Sequence, residues 1–133
     1  MKKALLLLTV IVFIAGCSTA QPSTAGPRIY FDEDSVDLGK LAPGVSLDYT
    51  FHFENVGNEP LIIEDVWARA EEGCCPPHPV VYPTTLQPGD EGTLRIQKSY
   101  REGLHLFEIT VKSNDPVEPE KKLYLTVDWK PME

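Results

Sequence analysis

Residues Val45 to Glu54 constrain the fold of this chain more than any other stretch. Val45, Leu47, Tyr49, Phe51 and Phe53 alternate without a fault with Ser46, Asp48, Thr50, His52 and Glu54. A period of two places the first set on one face of a β-strand and the second on the other. Burying a face of large side chains contributes about 1.5 to 3 kcal/mol for each of them, so this strand is expected at the centre of the core, with His52 in solvent.

The same pattern recurs downstream. Arg28-Ile29-Tyr30-Phe31 is a short β-prone run, and Val36 and Leu38 alternate with polar neighbours after an acidic turn. Asn55-Val56-Gly57-Asn58 offers residues that tolerate positive φ and is expected to close a hairpin into Pro60 to Trp67. Alternation fails at Glu64-Asp65, and one inserted residue restores the phase, which predicts a β-bulge. Residues 83 to 90 read as irregular structure and a turn. Further strands are expected over Gly92 to Tyr100, from Gly103 to the Asn114-Asp115-Pro116 turn with His105, Phe107, Ile109 and Val111 in phase, and beyond Pro119 with Leu123, Leu125, Val127 and Trp129 in phase. Twelve prolines and nine glycines punctuate these runs. Short strands joined by turns predict an all-β fold, an immunoglobulin-like sandwich of about seven antiparallel strands over residues 28–133.

The residues ahead of that domain read as an address. Lys2 and Lys3 precede an apolar run from Ala4 to Gly16, too short for a span of about 20 residues. The run ends Ile14-Ala15-Gly16-Cys17, which resembles the bacterial lipobox. Residues 1–16 are then a lipoprotein signal peptide, and by that resemblance Cys17 is acylated and becomes the mature N-terminus. Two or more acyl chains hold a protein stably where one does not. Residues 18 to 27, Ser-Thr-Ala-Gln-Pro-Ser-Thr-Ala-Gly-Pro, are small and polar and are expected to form a flexible linker that spans at most about 33 Å. The expected location is the extracytoplasmic face of the cell membrane. The formal net charge of −8, which becomes −10 once Lys2 and Lys3 are removed, argues against nucleic acid as a partner. The expected partners are the membrane, through the lipid, and another envelope protein.

Chemistry concentrates in Gly73-Cys74-Cys75-Pro76-Pro77-His78-Pro79. With Cys17 acylated, each of the two cysteines has only its neighbour as an intramolecular thiol partner. Adjacent Cα atoms lie about 3.8 Å apart, below the usual disulfide range of about 4.4 to 6.8 Å, so a vicinal bridge is strained and reducible. Soft-metal capture is a second outcome: Cys74 and Cys75 with His78, and with His105 from a neighbouring strand, offer sulfur and nitrogen donors suited to copper(I) or zinc. A third is plain packing of the loop, and thiol–disulfide chemistry is a further alternative. His105 lies in the apolar phase of its strand, where a hydrogen-bonded core or edge histidine is expected. Nothing in the spacing assembles a nucleophile, base and orienting acid, and no catalytic residue is assigned.

Taken in order, Asp37-Leu38-Gly39-Lys40, Phe51 to Ile63 with its Asn55-Val56-Gly57-Asn58 centre, the cysteine pair, Leu86-Gln87-Pro88-Gly89 and Ser113-Asn114-Asp115-Pro116 resemble a bacterial Ig-like family of unknown function. That family is similar to the Hydin-type and major-sperm-protein-like sandwiches, and the resemblance covers residues 28 to 130. It implies an exported, non-catalytic, scaffold-like domain. Many members separate their two cysteines by one residue, whereas here they are adjacent. A smaller group pairs adjacent cysteines and prolines with a Met- and His-rich stretch ahead of Gly-x-His-x-Phe. Gly103-Leu104-His105-Leu106-Phe107 resembles the latter, while Gln97-Lys98-Ser99-Tyr100 contains neither Met nor His.

Overall fold

The computed structural model describes residues 25–133. The signal peptide and Cys17 therefore lie outside the described residues. Nine strands follow one another: β1 (Ile29–Phe31), β2 (Ser35–Leu41), β3 (Leu47–Asn55), β4 (Leu61–Glu72), β5 (His78–Tyr82), β6 (Thr85–Leu86), β7 (Glu91–Lys98), β8 (Gly103–Ser113) and β9 (Glu120–Trp129). They form a four-stranded sheet of order β1-β3-β7-β5 and a five-stranded sheet of order β2-β9-β8-β4-β6.

The alternating side chains meet between these sheets. Leu47, Phe51 and Phe53 of β3 and Leu94 and Ile96 of β7 face Phe107, Ile109 and Val111 of β8 and Leu123, Leu125, Val127 and Trp129 of β9, all buried. This is the all-β sandwich that the periodicity predicts, and His52 is exposed as expected. Val45 departs from the pattern: it precedes β3 and is exposed, but its carbonyl accepts a 2.7 Å hydrogen bond from Trp129 Nε1 and so ties the entry of β3 to the far sheet.

Several expectations need correction. Among the described residues there are nine strands where about seven are expected, and β2 pairs with β9 in parallel, not antiparallel. Alternation dictates which face of a strand is buried but not the direction of a neighbour remote in sequence. Asn55 to Asn58 does not close a hairpin, because β3 pairs with β1 and β7 while β4 pairs with β8 and β6 in the other sheet. The segment crosses between sheets, and Asn55 fastens the crossing. Its buried amide donates to the carbonyls of Glu59 (2.7 Å) and Leu86 (3.1 Å) and accepts from the backbone N–H groups of Gly57 (3.0 Å) and Arg28 (3.3 Å). Residues 78–82, left without a strand by the sequence reading, form β5, so His78 and Pro79 belong to a strand and not to the cysteine loop.

The bulge is present, with the β4–β8 register shifting between Ile63 and Asp65 and again between Ala70 and Glu72. Residues 26 and 27 pack onto the sandwich. Pro27 is buried, Gly26 N–H donates to Asn58 Oδ1 at 2.7 Å, and Gly26 O accepts from Asn58 N–H at 3.1 Å. Asp115, in the turn after β8, accepts from Ile29 N–H (2.9 Å) and from the N–H groups of Val117 and Glu118 (2.8 and 3.1 Å), which clips β1 to the opposite sheet.

Candidate functional site

The cysteine loop leaves β4 at Gly73 and enters β5 at His78. Antiparallel pairing of Glu72 with Leu106 and of His78 with Gln97 places it beside the turn that joins β7 to β8. Gly73 has φ of +79°, and a Cβ there would lie 2.2 Å from His105 Nδ1, so only glycine lets the backbone pass so close to that ring. His105 is buried between Phe107, stacked at 5.8 Å, and Trp129, edge-on at 5.4 Å. Its Nδ1 accepts from Cys74 N–H at 3.3 Å, and its Nε2 donates to the carbonyl of Arg101 at 3.0 Å. A backbone N–H can only donate and a carbonyl can only accept, which assigns the neutral Nε2–H tautomer. His105 thus anchors the loop through backbone groups on both sides.

Successive side chains of an extended chain point to opposite sides. Cys75 breaks that rule: with φ of 59° it is the one non-glycine residue with positive φ among those described, and its side chain turns back toward that of Cys74. The two sulfurs are in contact and unbridged, with Cys74 half-buried and Cys75 exposed. Two cations border them. Lys98 Nζ donates to the carbonyl of Cys75 at 2.5 Å, and Arg101 Nη2 lies 3.8 Å from Cys75 Sγ.

The pair is therefore asymmetric. Their shared hydrogen bond, followed by the charges of Arg101 and Lys98 working against desolvation, holds the Cys75 thiol below its ordinary range. The same hydrogen bond, with desolvation, pushes Cys74 up. The cations thus favour negative charge on Cys75, whose sulfur Arg101 approaches.

Of the residues that sequence singled out, the structure brings together Cys74, Cys75 and His105, the histidine through its ring nitrogen to the Cys74 backbone. His78 is exposed on β5. Among the described residues no three His, Cys, Asp or Glu side chains gather as a metal-ligating group, so the two sulfurs have no third donor beside them. Sequence reasoning missed Gly73, Lys98 and Arg101 as parts of the site. The available signal was two cations three residues apart in an acidic chain, in the turn that meets the loop only through strand pairing.

Three solved structures show the same fold. A protein of unknown function from Porphyromonas gingivalis W83 is similar with a TM-score of 0.67 at 20% identity, over 82% of this chain and 50% of its own. The secreted serine protease VesC from Vibrio cholerae gives 0.59 at 16% identity, over 76% of this chain and 23% of its own. The periplasmic chaperone SfaE gives 0.53 at 17% identity, over 80% and 59%. This chain thus spans half the length, or less, of the first two. No curated protein matches the sequence. The family model described as "Protein of unknown function (DUF1573)" matches residues 29–129, and the chain belongs to that family.

Proposed function

We propose that the protein is a lipid-anchored Ig-like module of the bacterial cell envelope, held on the extracytoplasmic face through Cys17, that binds another envelope protein. The observation that carries this reading is the placement of the two ends of the sandwich. The chain enters at Gly26 and Pro27, beside Asn58 and the Asn55 end of β3, while the cysteine loop lies beyond Gln97, which is paired with Asp48 at the start of β3. Seven strand residues at about 3.4 Å each separate those poles by about 24 Å. A tether at one pole thus leaves the other turned away from the bilayer.

The partner surface is β5. It is the last strand of its sheet, pairs only with β7 among the described residues, and exposes Val80 and Tyr82 by 63% and 76%. An extended segment of an envelope protein would add along this edge, with backbone hydrogen bonds supplying affinity and alternate side chains supplying selectivity.

Fractionation tests the anchor. The full chain is expected in the membrane fraction with an acylated N-terminus by intact mass, and Cys17→Ala is expected to leave that fraction. A Cys17→Ala chain that stays membrane-bound overturns the anchor. A photo-crosslinking residue at Tyr82 is expected to give a discrete protein adduct that one at Tyr30, exposed on the opposite edge strand, does not. Equal adducts at both positions reject β5 as the partner surface.

A further inference from the structure

We infer that Cys74 and Cys75 form a dithiol exchange site for external disulfides, with Cys75 as the attacking sulfur and Cys74 as the resolving one. The inference is independent of the anchor and of the β5 surface. It rests on four features that converge on one loop. Cys75 is exposed, and Cys74 is half-buried behind it. Positive φ at Cys75 turns the two sulfurs to one side of the loop and into contact, where an extended dipeptide would hold them on opposite sides. Arg101 approaches the Cys75 sulfur and Lys98 binds the Cys75 carbonyl, and both charges favour a thiolate there. The loop is fixed from beneath by Gly73 against His105 and by the Cys74 N–H on Nδ1, so the thiols are presented on a rigid base.

Packing alone accounts for none of this. A loop cysteine that merely fills space needs neither left-handed backbone nor cations beside its sulfur. The arrangement instead matches the division of labour of a two-thiol exchange, in which the accessible thiolate attacks and a protonated neighbour waits.

The steps balance as follows. The Cys75 thiolate attacks one sulfur of an external disulfide R–S–S–R. A Cys75–S–S–R bond forms, the external S–S bond breaks, and the other half leaves as R–S⁻ to take up the proton that Cys75 gave up. Cys74, losing its own proton, attacks Cys75 Sγ; the Cys74–Cys75 bond forms, and the second R–S⁻ departs with that proton. One external disulfide is reduced to two thiols, and the protein pair is oxidised by two electrons. Because adjacent Cα atoms sit closer than a relaxed disulfide prefers, the vicinal bridge reopens readily when a thiol attacks it. The site cycles, and does not end as a permanent structural bridge.

The test uses the full-length chain carrying Cys17→Ala in detergent micelles, which leaves these two thiols as the only ones, with glutathione disulfide as the probe and intact mass as the readout. The chain is expected to lose two hydrogens, with a glutathione adduct only in passing, and excess reduced glutathione is expected to restore them. Adding Cys74→Ser should trap a lasting glutathione adduct on Cys75. Adding Cys75→Ser instead should slow the reaction at least about tenfold, since the remaining thiol is the less exposed one. Lys98→Gln with Arg101→Gln, both at the surface, should slow the first step several-fold while leaving the circular dichroism spectrum unchanged. Equal reactivity of the two single-cysteine variants overturns the assignment of roles. A persistent mixed disulfide in the two-thiol chain, or a bridge that reduced glutathione fails to open, overturns the exchange cycle.

Discussion

Asn55 shows how much one side chain carries in this sandwich. Its amide satisfies two carbonyls and two N–H groups from four different places in the chain, all close to the boundary between the sheets. Truncation leaves those groups without partners at a site that is itself fully buried, and each net hydrogen bond there is worth about 1 kcal/mol, more when a buried group is left unmade. Asn55→Ala is expected to lower unfolding free energy by about 2 to 4 kcal/mol in urea titration. Asn55→Asp is expected to cost at least as much, because a carboxylate would face the carbonyls of Glu59 and Leu86 with no donor to offer. Gly73 gives a second residue-scale prediction. Gly73→Ala meets both the strain of φ at +79° and a clash with the His105 ring, whereas Gly44→Ala, at φ of +76° with open space around it, meets only the strain. Both should lower the melting temperature. Gly73→Ala should lower it further, and the difference measures how tightly the cysteine loop sits on His105. Equal losses would mean that the loop gives way without cost.

Among the elements, β3, β8 and β9 were legible because each buries one face of an uninterrupted alternation, and the bulge in β4 because it interrupts one. The second register shift, between Ala70 and Glu72, left no such trace, since Ala68 and Ala70 are small and only half-buried. β5 was missed because two of its residues were read with the proline-rich loop. Proline is tolerated there because β5 is an edge strand and needs its ladder bonds on one side only. The cysteine pair itself was legible as the one unusual cluster, but its cations and its supporting histidine were not, because strand register brings them there across 23 to 31 residues of chain. The outer face of the larger sheet supplies an element-scale prediction. Glu108 of β8, almost buried, is bound by Lys122 of β9 at 2.7 Å and approached by Arg69 of β4 at 3.3 Å. The hydrogen bond from Lys122, and then the charges of Lys122 and Arg69, outweigh desolvation and hold its carboxyl below the ordinary value of 4.5. A depressed carboxyl stabilises the fold above its unfolded value, and that contribution disappears as pH falls through the lower folded value. Stability should therefore fall on acidification from about pH 6 to about pH 3, and Glu108→Gln should shrink that fall. An unchanged acid loss in the variant would show that the three strands are not coupled through this carboxylate.

At the scale of the whole molecule, the sandwich separates the pole where the chain enters, at Gly26 and Pro27, from the cysteine loop. β3 runs the length of the domain, from Leu47 at the cysteine pole to Asn55, which fastens the pole where the chain enters. Tethered as proposed, the domain would carry the cysteine pole about 24 Å from the point where the chain enters at Gly26. The acidic surface works in the same direction, since a formal net charge of −8 disfavours lying flat on anionic headgroups. The rate at which a bulky polymer-linked maleimide modifies Cys75 should then be nearly the same for the acylated chain in anionic vesicles as for the same chain in detergent, within about twofold, whereas a thiol introduced at Ser23, in the linker, should be shielded by the bilayer. Strong protection of Cys75 in vesicles would instead place the cysteine pole against the membrane, and the path of the linker around the sandwich would have to bring it there.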